Sequence, residues 1–188
     1  MFEKLLSPYS IIGLMLPNRL VVPAMVPRLS GEDGFVNQDI TDRYVRFAKG
    51  ETGLIVVEAM AVHVAKSGPL LRICTDEYKP GLTDLAKKVH DTSDSKVIPQ
   101  IIHFLKIARS GWRQKIEDLT PEDIKLIIEQ YGQAALRARE CGYDGVELHM
   151  AHAYTMSSFL SKRNKRPDDF GGESLENSHR VPLQVVAE

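Results

Sequence analysis

The pattern of the chain predicts an α/β fold built on a parallel sheet, and three observations predict it. Short apolar runs at residues 20–24, 53–58, 96–102 and 145–149 alternate with amphipathic, helix-like stretches. The clearest of these runs, Gly53-Leu54-Ile55-Val56-Val57-Glu58, is almost continuously apolar, as strands covered on both faces require. No Gly-x-Gly-x-x-Gly turn follows any run, which weighs against a dinucleotide-binding Rossmann sheet. Four strand–helix units in order imply right-handed crossovers in one sheet. Two architectures satisfy this, a doubly wound sheet and a (β/α)₈ barrel. A barrel needs roughly 250 residues, so the 188 residues here would supply about its first half as a single domain, 1–188.

Each element has a local reason. Residues 20–24 form a short apolar strand that enters a Pro-rich turn. A helix is expected over 41–49, with Tyr44, Val45 and Ala48 on one face and Gly50 as its stop. A second helix is expected over 81–90, burying Leu82, Leu85, Ala86 and Val89. In the strand over 96–102, Pro99 lacks an N–H, so the ladder must relax there. The third helix is the best marked. Thr120 is a good N-cap, Pro121 suits the first helical position, and Asp123 completes a capping-box-like pair. Ile124, Ile127, Ile128, Tyr131, Ala135 and Ala138 trace its apolar stripe, and Cys141-Gly142 ends it. A fourth strand over 145–149 leads into a long polar loop, and a last helix begins near Leu175.

Composition narrows the function. The chain is 43% hydrophobic with 24 basic and 25 acidic side chains, so its net charge of −1 gives no electrostatic footing for nucleic acid or an anionic membrane. Two cysteines, Cys74 and Cys141, are too few for a disulfide framework or an iron–sulfur cluster, and a reducing cytoplasm is expected. No apolar run approaches the ~20 residues of a membrane span, and the first residues lack the apolar core of a signal peptide.

In parallel α/β proteins chemistry gathers just past the strand ends. The first strand is followed by Pro23-Ala24-Met25-Val26-Pro27-Arg28, where small residues would let a flat ring approach the backbone. The second carries Ala59, small enough to expose its backbone N–H. The third carries Gln100, an amide among apolar neighbours that must find partners and that offers both a donor and an acceptor. His103 and Arg109 beyond it either contact ligand or hold the loop. The fourth ends in His149-Met150-Ala151-His152-Ala153-Tyr154. His149 and His152 lack the helical i, i+4 zinc spacing and a local third ligand, so no metal is expected. Two imidazoles in one cleft could instead polarise a carbonyl or nitro oxygen. Tyr154, a phenol with a reference pKa of about 10, is the candidate proton donor.

The motifs in their order resemble the N-terminal half of the Old Yellow Enzyme-like NADH:flavin oxidoreductases. They are Leu6-Ser7-Pro8, Pro17-Asn18-Arg19 through Met25, the stretch from Gly53 to Ala59, Gln100 with His103, and the segment from Asp144 to Tyr154. Phe159-Leu160-Ser161 follows, then Asn164, Arg166, Asp168, Gly171-Gly172 and Ser174 to Asn177. The run from Gln100 to Leu105 is similar to the 2,4-dienoyl-CoA-reductase-like branch. The resemblance implies a truncated TIM (β/α)₈ barrel, with FMN as cofactor and NADH or NADPH as reductant. It implies an ene-reductase acting on activated C=C bonds, or the N-terminal part of one. It places Pro23, Ala24, Met25, Val26, Ala59 and Gln100 against the flavin. His149 and His152 would hold the substrate oxygen, with Arg28 beside them, and Tyr154 would protonate the α-carbon. The alternative is a catalytically silent half-barrel that acts by self-association or by pairing with another chain.

The sequence also departs from the family pattern. Val26 replaces a flavin-tuning Thr or Cys, Lys106 replaces an Arg, Glu173 is inserted after Gly172, and Ser178 stands for an Arg. The family's flavin-contacting Arg and its phosphate site belong to later barrel units that these residues do not include.

Overall fold

The structure is a computed structural model that describes residues 2–65, 68–105, 110 and 113–188. A hairpin of β1 (Tyr9–Ile11) and β2 (Leu14–Leu16) opens the chain and turns at Ile12 and Gly13, both left-handed. Then follow β3 (Val21–Val22), α1 (Gln38–Lys49), β4 (Leu54–Ala61), β5 (Leu71–Arg72), α2 (Lys79–Thr92), β6 (Lys96–Ile102) and α3 (Pro121–Glu140). β7 (Glu147–Leu148), α4 (Thr155–Phe159) and α5 (Leu175–Ala187) complete the order. The four strands β3-β4-β6-β7 pair in parallel, and β5 adds a short parallel pair to the end of β4.

The sheet has apolar layers on both faces. On its outer face Ile55, Val57, Met60, Val97 and Ile101 pack against α1, α2 and α3 in one continuous core. On its inner face Leu54 and Val56 meet Ile98, Ala24 and, from the hairpin, Leu14 and Leu16. The hairpin therefore plugs the end of the curl where the strands begin, and among the described residues no second hairpin covers the opposite end, where they finish. Gly53 lets the chain cross there: a Cβ on it would sit 2.1 Å from the carbonyl oxygen of Asn18.

Most expected elements form, with shifted ends. α1 starts at Gln38, three residues early, because the Asn37 side chain accepts the Ile40 N–H at 3.0 Å. α2 runs two residues further at each end, over Lys79–Thr92. The α3 capping box forms as expected: Thr120 Oγ1 accepts the Asp123 N–H at 3.1 Å and Asp123 accepts the Thr120 N–H at 2.9 Å. Ala134 rather than Ala135 is fully buried on its stripe. β3 and β7 shrink to two residues each. The inserted Glu173 does not disturb the start of α5, since Ser174 still accepts the Asn177 N–H at 3.1 Å.

The relaxation expected at Pro99 takes the form of a β-bulge. Val57 pairs with Pro99 and Met60 with Ile101, so β4 advances three residues while β6 advances two. Glu58 and Ala59 together oppose Gln100. The extra residue falls where Pro99 has no N–H to offer. It lets Glu58 turn outward to α1, where it bonds Tyr44, and leaves Ala59 on the inner side, since Met60 returns to the outer core.

Candidate active site

The site is assembled from strand alternation. Gln100 lies two residues past the inward-facing Ile98 and so shares its face. Gln100 pairs in register with Glu147 on β7, and its Nε2 donates to Glu147 Oε1 at 2.6 Å. His149 lies two residues past Glu147 on the same face, and its N–H extends the ladder to the Ile101 carbonyl at 3.0 Å. Gln100, Glu147 and His149 thus line the open end in sequence.

The loop after β7 then folds back. His152 and Ala153 are both left-handed, with φ of 56° and 58°. Such backbone costs on the order of 1–2 kcal/mol per non-glycine residue. It brings the Tyr154 N–H to the Ala151 carbonyl at 3.2 Å. As a result the Tyr154 ring stands edge-on to His149, centroids 5.0 Å apart, and the His152 ring lies 5.1 Å from His149. Of the five left-handed non-glycine residues described, Arg28, His152 and Ala153 all sit in loops past these strand ends.

The hydrogen bonds fix the tautomers. The Ala151 N–H donates to His149 Nδ1 at 3.3 Å, so the proton of the neutral His149 ring is on Nε2. That Nε2–H donates to His152 Nδ1 at 3.1 Å, which places the His152 proton on its own Nε2. Burial, and the like charge a protonated His152 would present, hold His149 below the usual histidine range. The pair is therefore a directed donor chain that runs from His149 Nε2 to His152 Nδ1.

The residues expected at the site are placed as follows. Ala59 is buried on the inner wall opposite Gln100. Ala24 packs into the inner layer, while Pro23, Met25 and Val26 are exposed at the rim. Arg28 is also exposed, and no hydrogen bond or ion pair among the described residues joins it to the histidines. His103 holds the loop: its Nδ1 pairs with Thr155 Oγ1 at 2.7 Å, its N–H donates to Tyr131 Oη at 2.9 Å, and its carbonyl accepts the Thr155 N–H. Lys106 and Arg109 lie outside the described residues. Among the described residues no group of three or more His, Cys, Asp or Glu side chains is placed to hold a metal ion. Sequence reasoning passed over Glu147. Its signal was available, as an acidic residue two positions before His149 on an otherwise apolar strand.

The donor set suits a flat heteroaromatic ring with an imide edge. Among the described residues no hydrogen bond is made to the Gln100 amide oxygen, small Ala24 and Ala59 line the inner wall, and the rings of His149, His152 and Tyr154 gather beyond them. These are the groups that would hold the isoalloxazine of FMN and a planar acceptor stacked on it.

Comparison with known proteins bears on this arrangement. The sequence pattern of the NADH:flavin oxidoreductase / NADH oxidase family matches residues 105–188. The chain is 34% identical to an NADH oxidase of Thermoanaerobacter brockii, over 98% of this chain and 31% of that protein. It is 35% identical to an NADPH dehydrogenase of Halalkalibacterium halodurans, over 100% of this chain and 60% of the relative. It superimposes on morphinone reductase in complex with tetrahydroNAD with a TM-score of 0.82 and 26% identity, covering 97% of this chain and 59% of that one. The chain thus spans about three-fifths or less of these proteins, and its parallel strands form the corresponding part of a TIM barrel. In sequence and in fold, the chain is thus similar to the NADH:flavin oxidoreductase / NADH oxidase family, over part of the length of its members.

Proposed function

We propose that this chain forms the ring-binding and substrate-binding part of an FMN-dependent ene-reductase that reduces activated C=C bonds with NAD(P)H. The observation that carries the reading is the convergence of Gln100, His149, His152 and Tyr154 on one open end of the sheet. Pro23, Ala24, Met25, Val26 and Ala59 line the ring, with Gln100 at its imide edge. When bound, FMN supplies the hydride that NAD(P)H provides and the β-carbon of the acceptor receives.

The side chains do the rest. The carbonyl or nitro oxygen of the acceptor first meets the His152 Nε2–H, the free end of the donor chain. For His149 also to reach that oxygen, its Nε2–H must leave His152 Nδ1, so one internal hydrogen bond is exchanged for one to substrate. Two fixed donors then stabilise the negative charge that develops on the oxygen. Tyr154 delivers its phenolic proton to the α-carbon, and hydride plus proton complete the saturation. Arg28 at the rim attracts an anionic substituent. The site acts on small molecules in the cytoplasm. It is tested by anaerobic reduction of 2-cyclohexenone with NADPH by the FMN-supplemented chain. Cyclohexanone formed in proportion to NADPH consumed supports the reading, and NADPH consumption without it does not.

A second reading is favoured by the edges. Among the described residues neither the outer side of β7 nor that of β3 is paired in the sheet; Val21 on β3 is 51% exposed, and Leu183 and Val186 on α5 are 63% and 66% exposed. Open apolar edges invite pairing, with a second copy or with a chain carrying further barrel strands. Size-exclusion chromatography with absorbance detection separates the readings: a colourless oligomer favours association alone, and a monomer with stoichiometric flavin opposes it.

A further inference from the structure

We propose that Glu147 is a positioning residue that fixes which end of the Gln100 amide faces the cofactor. The inference rests on the flavin reading above and deepens it. A carboxylate can only accept, so the group 2.6 Å from Glu147 Oε1 must be the Gln100 Nε2. The bond is short and charge-assisted, roughly twice as strong as one between neutral groups. The two residues are register partners on β6 and β7, so the strands bring them together without help from any loop. With Nε2 committed, Gln100 presents its Oε1 to the open end.

An amide is nearly symmetric in shape, and without Glu147 it could turn over at little steric cost. With Glu147 holding one of the two Nε2 hydrogens, the amide oxygen is the end that turns toward a ligand. On the imide edge of an isoalloxazine the matching group is the N3–H, flanked by two carbonyls that an acceptor would repel. Glu147 therefore sets the register of the ring along its imide edge, and through it the place of the reacting face beneath His149 and His152.

The test uses lumiflavin and 3-methyllumiflavin, which carry the ring without ribityl phosphate, with binding read by quenching of flavin fluorescence. The wild-type chain should prefer lumiflavin by about tenfold, the value of one hydrogen bond. Glu147→Gln should lose most of that preference. The swapped double variant Gln100→Glu/Glu147→Gln should restore it, because the donor then comes from position 147 and a free carboxylate oxygen again faces N3–H. Thermal melts of each variant report whether it folds. An equal preference in wild type and Glu147→Gln overturns the proposal, as does lumiflavin binding by wild type without any preference. Both of those outcomes leave the flavin reading standing. Failure of the wild type to bind either flavin overturns both.

Discussion

The Tyr44 hydroxyl stands between two parts of Glu58, accepting its backbone N–H at 2.7 Å and donating to its Oε2 at 3.2 Å. The bulge that turns Ala59 toward the inner wall turns Glu58 outward onto α1, so the two events are one. The other carboxyl oxygen, Oε1, is buried without a partner, as is the nearby Arg43 Nε. Burial raises the Glu58 carboxyl from 4.5 to about 7, against the opposing pull of its bond to Tyr44 and the charge of Arg43. Burial likewise pushes the Tyr44 phenol well up, and the Glu58 charge adds to it.

A pH dependence of stability follows. Between 4.5 and about 7 the folded chain holds the Glu58 proton that the unfolded chain has released. The native state binds more protons there, so stability falls as pH rises through that window and levels off above it. The span corresponds to roughly 3 kcal/mol. Glu58→Gln should gain on wild type by about that amount between pH 4.5 and 7.5 in urea melts. Parallel curves for the two proteins would contradict the assignment.

His103 has the opposite sign. Burial, then the charge of neighbouring His63, lowers it from 6.5 to about 3. Over that range the unfolded chain binds the proton and the folded one does not, so stability is full above 6.5 and falls as pH drops. The windows overlap between 4.5 and 6.5, where the two slopes oppose. His103→Gln keeps a polar partner for Thr155 and should flatten the acid limb below pH 4.5 in the same melts, at some cost in stability at neutral pH.

Tyr154→Phe should separate the two halves of the reaction. Loss of a proton donor slows catalysis by about 10²–10⁴-fold, and here the loss should fall on enone reduction. Reduction of the flavin by NADPH, followed anaerobically by stopped-flow absorbance, should change little. An equal collapse of both steps would remove Tyr154 from its role.

Arg166 is only 6% exposed, yet it carries the loop between α4 and α5. Its Nη1 donates to the carbonyls of Ile116 and Leu119, and its Nε and Nη2 hold Asp168 at 3.0 and 2.5 Å. That pairing lowers the Asp168 carboxyl. Arg166→Met should cost about 3 kcal/mol or more, because it strips partners from buried carbonyls and leaves a carboxylate unpaired. Urea unfolding checks it.

The sequence made the frame legible where local chemistry is decisive. The α3 cap was readable because Thr120, Pro121 and Asp123 satisfy one another within four residues. β6 was readable because its apolar run has sharp ends. The ends of β3 and β7 were not, since strand length depends on how far a partner runs alongside, which no local pattern states. The hairpin and β5 were missed for the same reason, and five-residue α4 was lost in a polar loop. At the site, His149, His152 and Tyr154 announced themselves by type. Their convergence depends on the left-handed pair His152–Ala153, which neither residue signals. The Gln100–Glu147 bond arises from a register between strands 47 residues apart in sequence.

The central claim is that the inner wall at the open end is a platform for an isoalloxazine ring, and the most direct measurement is FMN binding followed by fluorescence quenching. Wild type should bind saturably with one flavin per chain. Ala59→Trp, which fills the wall opposite Gln100, should abolish binding while its circular dichroism stays that of the wild type. No binding by wild type, or equal affinity in the two folded proteins, would contradict the account.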